Sequence, residues 1–160
     1  MAISLTASAP ARTWRNPSNS AVTRTKWALI LIGMLPLARL VAGFFSDSLG
    51  ANPIEFITRS TGTWTLVGLA LTLSITPLRT LLNWPWLVRL RRTAGLLAFF
   101  YASLHFTTYI WFDRFFDFGD ILKDIVKRPF ITVGFAAFVL LIPLAVTSNN
   151  AIIKKLGAKL

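Results

Sequence analysis

The stretch WALILIGMLPLARLVAGFF, Trp27 to Phe45, decides the fold. It carries one charge, Arg39, and its length falls within the ~17–25 residues a helix needs to cross a bilayer core of ~30 Å. Working outward, three further apolar segments follow: Gly62–Leu78, Ala94–Phe112 and Phe130–Val146. The chain has 160 residues, 54% apolar and only 14% charged, where soluble domains carry about 25% charged residues. Four such segments leave too little polar surface for a soluble helical core. The expected architecture is all-α: an integral membrane up-down bundle of four transmembrane helices joined by short connections. Pro36 and Pro143 fall inside the first and last spans and are positions for kinks.

Charge patterning sets the expected orientation. The segments outside the spans carry +4 before span one, −1 between one and two, +4 between two and three, 0 between three and four, and +3 after span four. This alternation follows the positive-inside rule and places both termini and the second connection in the cytoplasm. The net charge of +11 therefore reflects orientation, and no nucleic-acid partner is expected. Trp27, Trp64 and Trp111 mark span ends, and Trp84 and Trp86 sit in a short connector, as suits the membrane interface. Residues 1–26, rich in Ala, Ser and Thr, read as a disordered cytoplasmic basic arm. That arm and the length of span one argue against a cleaved signal peptide. Residues 27–160 form the transmembrane domain.

The connection after span three has an order of its own. Ile121, Leu122, Ile125 and Val126 recur at helical spacing, with charged residues on the other face and Pro129 closing the run. A short amphipathic helix on the outer surface is expected. Asp113, Asp117, Asp120 and Asp124 share roughly one face, read as solvated or as docking a partner rather than as a metal site.

The absence of cysteine excludes disulfides, thiol nucleophiles and Cys-ligated metals. A single histidine excludes a zinc-protease motif. No hydrolytic triad or phosphate loop is present, so no catalytic residue is assigned. Ionisable groups at membrane depth remain. His105 lies inside span three and shares a helix face with Ala98, Tyr101, Ala102, Thr108 and Tyr109. Ala94, Ala98 and Ala102 keep the inner part of that face small. Two readings stand: His105 ligates a haem that approaches over these alanines, or it bonds a backbone carbonyl while the alanines pack a neighbouring helix. Arg39 either snorkels outward or pairs with an anion such as a haem propionate. Arg89, Arg91 and Arg92 either report topology or hold a phosphate or a quinone head group.

Longer motifs carry a resemblance. Gly50-Ala51-Asn52-Pro53-Ile54-Glu55 precedes Thr61-Gly62. Thr76-Pro77-Leu78-Arg79 closes span two. Arg91-Arg92-Thr93-Ala94-Gly95-Leu96 leads to Tyr101-Ala102-Ser103-Leu104-His105. Lys127-Arg128-Pro129-Phe130-Ile131-Thr132-Val133-Gly134 opens span four, and Leu144-Ala145-Val146-Thr147-Ser148 comes before Leu156-Gly157. In order and spacing over residues 27–160 these resemble the MsrQ (YedZ) family, haem-binding membrane subunits within the ferric reductase-like transmembrane superfamily.

The resemblance implies a multi-pass b-type cytochrome of the bacterial inner membrane. It implies haem b with His105 as an axial ligand of its iron, electrons from the quinone pool, and FMN as a further cofactor. Arg91 and Arg92 would lie on the quinone or flavin side, and Arg39 near a haem propionate. The implied partner is a periplasmic molybdopterin-containing reductase subunit of the MsrP type, forming a heterodimer that repairs methionine sulfoxide in oxidised periplasmic proteins. The family continues beyond Leu156-Gly157 into a Trp-x-x-Leu-His segment and two further spans. By the resemblance the opposing axial ligand lies past Leu160, and Met34, Tyr101 and Tyr109 are poorly placed to replace it. The contrasting expectation is a membrane anchor or assembly subunit without a redox centre, or a non-functional truncated fragment.

Overall fold

The computed structural model describes residues 17–113 and 117–148, with the backbone alone at 113, 118, 120, 122 and 124. The described residues form helices and no strands. They are α1 (Asn19–Phe45), α2 (Pro53–Leu82), α3 (Val88–Thr108), α4 (Phe118–Lys127) and α5 (Pro129–Thr147). A 3₁₀ turn at Pro85–Leu87 leads into α3, and a π-helical turn at Tyr109–Asp113 follows it. Most of the basic arm, the Leu156-Gly157 motif and the last three lysines lie outside the described residues.

Local chemistry explains the boundaries. The Ser18 side chain accepts from the Ala21 amide at 3.2 Å, an N-cap that starts α1 at Asn19. Residues 19–26, read from sequence as part of the disordered arm, are therefore helical. Asp47 turns left-handed after α1, at φ 49°. Asn52 then caps α2 by accepting from the Glu55 amide at 3.3 Å, with Pro53 pre-set at the first helical position and Glu55 favourable to the helix dipole. Asn83 ends α2 in the left-handed conformation, φ 53°. At 30 residues and 1.5 Å per residue, α2 is about 45 Å long. Its first turns extend past the apolar span and carry the exposed Glu55–Arg59 pair, 3.1 Å apart.

By length and composition three helices, α1, α2 and α5, are apolar enough to cross a membrane. Helix α3 is not among them, because Arg89, Arg91 and Arg92 crowd its first turns. Leu31 on α1 is 67% exposed and Val133 on α5 69%. Such faces suit lipid, not water. The chain is a multi-pass membrane protein.

Helix α3 is the centre of the assembly. It packs chiefly on α2 and also touches α1 and α5. Its buried residues include Leu90, Ala94, Ala98, Tyr101 and Ala102. The contacts also give direction. Arg89 donates to Asn19 Oδ1 at 2.9 Å and the Tyr101 hydroxyl to the Gly33 carbonyl at 2.6 Å, so α1 runs parallel to α3. Gly68 lies against Ala98 and Gly95 near Thr72, so α2 runs antiparallel. The ring pairs Phe99–Phe138 and Phe106–Phe135 make α5 antiparallel too. Gly68 shows why α2 and α3 sit so close: a Cβ there would meet Ala98 Cβ at 3.0 Å and Cα at 3.1 Å. Small residues permit such approach between membrane helices.

Candidate functional site

The site begins with one turn of α2. The Thr61 side chain, 2% exposed, bonds the Ile57 carbonyl at 2.9 Å and the Thr58 carbonyl at 3.0 Å. His105, from α3, brings its Nδ1 to 2.9 Å from the Thr58 carbonyl and 3.5 Å from Thr61 Oγ1. A carbonyl only accepts, and the Thr61 proton is directed to backbone oxygens. Nδ1 therefore carries a proton and donates to Thr58; in the neutral imidazole, Nε2 then holds the lone pair. That is the tautomer a metal-ligating imidazole needs, with its ring orientation set by the bond on the other nitrogen.

Gly62 makes this approach possible. A Cβ at that position would lie 3.0 Å from His105 Cε1 and 3.2 Å from Nδ1. The histidine is clamped between a carbonyl and a residue without a side chain. Beyond it, α3 departs from regular geometry. The Tyr109 amide still bonds the carbonyls of His105 and Phe106, and a π-helical turn follows at Tyr109–Asp113, where a regular span was expected from sequence. Such turns occur often at functional sites.

His105 lines a cavity of about 500 Å³ between α2, α3, α4 and α5, within the ~300–1,000 Å³ common for ligand and cofactor sites. Its walls are apolar, with Leu66, Leu69, Phe135, Phe138 and Leu141 beside small Ala102 and Gly134, and it includes Arg128 and Tyr109. Ile121 and Ile125 of α4 close one side. The amphipathic helix expected after span three is present, and its apolar face serves as a cavity wall packed beside α5. The Thr132 hydroxyl ties the two helices by bonding the Ile125 carbonyl.

These residues fit a haem. An imidazole with one nitrogen bonded and the other free of any described partner faces a greasy cavity that also presents a cation. The alanines divide. Ala98 is covered by Gly68 of α2, and Ala94 lines a different cleft; only Ala102 borders the His105 cavity. Of the two readings of this stripe, helix packing describes Ala98, which sits in a helix–helix seam.

The other candidates lie apart. Arg39 borders a second cleft, between α1, α2 and α3, and not the His105 cavity. Arg91 and Arg92 are exposed at the start of α3, ~20 Å along the helix from His105. Asp117 is exposed, and among the described residues no cluster of three metal-ligating side chains occurs. Sequence reading missed Arg128 as a cavity residue, having counted it for topology. Its signal was its place beside Pro129, where a helix begins over the cavity.

Residues 61–160 match the family model for the ferric reductase like transmembrane component. A protein of Herminiimonas arsenicoxydans named protein-methionine-sulfoxide reductase heme-binding subunit MsrQ is 62% identical over 144 residues, covering 90% of this chain and 66% of that protein. Proteins of the same name from Ralstonia nicotianae and Bordetella pertussis are 56% and 55% identical. They cover 82% and 87% of this chain, and 61% and 68% of their own lengths. The chain thus spans about two thirds of these relatives. No solved structure matches it. With Thr61, Gly62, His105 and every α5 wall residue inside the matched region, the chain belongs to the ferric reductase-like transmembrane family, among relatives named as MsrQ haem-binding subunits.

Proposed function

We propose that this chain is the haem-binding, electron-transferring part of a membrane system that reduces methionine sulfoxide in proteins. The observation that supports it most is the His105 Nδ1 bond to the Thr58 carbonyl at 2.9 Å, which leaves Nε2 as a ligand beside an apolar cavity. Relatives carrying the haem-binding name support it further. A haem b at this place supplies one-electron carriage, its potential set by ligand, burial and nearby charge. The chain's own contributions are separable. Thr58 and Thr61 hold the imidazole, Gly62 gives it room, and the α5 rings with Ile121 and Ile125 keep water out. Arg128 is the cation placed to meet a carboxylate at the cavity, the role the sequence reading gave to Arg39.

Helix α3 is the proposed fourth span. From Thr93 to Phe112 it has no Asp, Glu, Lys or Arg. Arg24, Lys26, Arg79, Arg89, Arg91 and Arg92 then gather at one end, and Asp47 and Glu55 lie at the other. The basic end is cytoplasmic by the positive-inside rule, in a bacterial inner membrane. Quinone is the proposed donor at the Arg91 and Arg92 end, with FMN as the other candidate there. The acceptor is a periplasmic molybdopterin reductase subunit on the α4 side.

The test is a haemin titration of membranes holding this chain, with free imidazole as the second axial ligand, read as dithionite-reduced minus oxidised spectra. Bands of the b type are expected, and His105→Ala should remove them without changing membrane insertion. Bands that survive His105→Ala refute the ligand assignment. Colourless membranes that still retain a reductase partner would favour an anchor instead.

A further inference from the structure

The cleft between α1, α2 and α3 is separate from the His105 cavity and has about 370 Å³ of space. Leu29, Ile32, Val67, Leu71 and Leu97 line it, and Arg39 and Trp64 border it too. Arg39 lies six residues before the end of α1, about 9 Å along the axis. It belongs to the outer half of the helix if the basic end is cytoplasmic. Among the described residues it has neither an ion pair nor a hydrogen bond. The guanidinium cannot shed its charge, and a charge held at membrane depth without a counter-ion is costly. Arg39 is exposed at the cleft, so an anion that meets it comes from outside the described residues.

The surroundings select the class of that anion. Leu35 beside the cleft is 63% exposed and Leu71 52%, so the cleft opens to the lipid phase. An occupant must be apolar over most of its length and anionic at one end. A free phosphate satisfies only the second condition, and a neutral isoprenoid only the first. We propose that the cleft is a binding site for an anionic glycerophospholipid, its phosphate on Arg39 and an acyl chain along Val67, Leu71 and Leu97. The guanidinium offers paired N–H donors to phosphate oxygens, and Trp64 suits the boundary between head group and chain. The proposal rests on the membrane-spanning character of the chain and not on haem binding.

The experiment uses the whole chain in phosphatidylcholine nanodiscs, titrated with phosphatidylglycerol brominated on its acyl chain. Quenching assigned to Trp64 by difference from Trp64→Phe is the readout. Saturable quenching is expected. Arg39→Gln should weaken it about tenfold or more, as loss of a charge-assisted hydrogen bond implies, and Arg39→Lys should restore part of it. Val67→Phe, which narrows the cleft at a position already 39% exposed without adding a tryptophan, should abolish saturation while helicity stays unchanged. Three results overturn the proposal. Saturation indifferent to Val67→Phe would mean that Arg39 meets only bulk head groups. Equal quenching by brominated diacylglycerol would mean that charge plays no part. Displacement by ubiquinone with no effect of Arg39→Gln would assign the cleft to a quinone.

Discussion

Gly62→Ala tests whether His105 is held in place by the turn of α2 beneath it. The added Cβ would lie 3.0 Å from His105 Cε1 and 3.2 Å from Nδ1. Unstrained contacts between carbon atoms lie at ~3.5–4.0 Å, so the ring must give by about 0.5–1 Å. Its bond to the Thr58 carbonyl is 2.9 Å, and such bonds extend to only ~3.2 Å before weakening. The available slack, about 0.3 Å, is smaller than the required shift. The bond should break or stretch badly, at a net cost of about 1 kcal/mol. The larger effect falls on the metal, since loss of the bond that orients a ligating histidine typically costs ~10–100-fold in affinity. Gly95→Ala is the matched control. It lies in the same helix pair, and its Cβ would make an ordinary contact, 3.6 Å to Thr72 Cγ2. The assay is a haemin titration of each variant with imidazole present. Gly62→Ala should bind at least about tenfold more weakly than wild type, and Gly95→Ala within about twofold of it. If the two alanines titrate alike, the clamp on His105 is not what prepares the site.

Other perturbations separate packing from chemistry. Gly68→Val would press a branched side chain on the Ala98 backbone, 3.1 Å from the new Cβ. It should destabilise the α2–α3 pair by roughly 1–3 kcal/mol, read as a shift in detergent unfolding, and an unchanged midpoint would contradict the close seam. Tyr101→Phe removes the 2.6 Å bond to the Gly33 carbonyl. A loss of about 0.6–1.7 kcal/mol is expected from interhelical bonds measured in membranes, and a neutral result would mean that α1 is held by apolar contact alone. Glu55→Gln breaks an ion pair whose side chains are 81% and 54% exposed. Its effect should stay below about 0.5 kcal/mol, and a larger loss would show that the pair is shielded by something outside the described residues.

What the sequence revealed about this protein follows from which forces act locally. The all-helical class and three apolar helices of spanning length were legible because hydropathy is a one-dimensional signal, and Pro53 and Pro129 stand at the first positions of α2 and α5. The start of α1 was missed because Ser18 acts through one hydrogen bond inside a polar stretch that reads as disordered. The π-helical turn was missed for a similar reason: Tyr109-Ile110-Trp111-Phe112 is as apolar as the span before it, so nothing in its composition marks the wider turn. His105 was legible as a lone imidazole at depth. Thr58 was not, because its contribution is a backbone carbonyl that any residue there would offer.

The division of the small residues carries the argument further. Spacing alone placed Ala94, Ala98 and Ala102 with His105 on one face, and a face is ambiguous between a helix and a ligand. The structure resolves the ambiguity through Gly68, whose missing side chain brings α2 onto Ala98. Once α2 occupies that seam, the space beside α3 is split in two. One part holds His105, Arg128 and the rings of α5; the other holds Arg39 and the apolar side of α1. Each part receives one cation, Arg128 in the first and Arg39 in the second. A haem propionate beside Arg128 and a lipid phosphate on Arg39 are therefore independent assignments. Replacing Arg39 should leave the spectrum of a haem at His105 in place, and filling the His105 cavity should leave lipid retention at Arg39 unchanged. Coupled loss of both would mean that the α2–α3 seam, not either cation, had been disturbed.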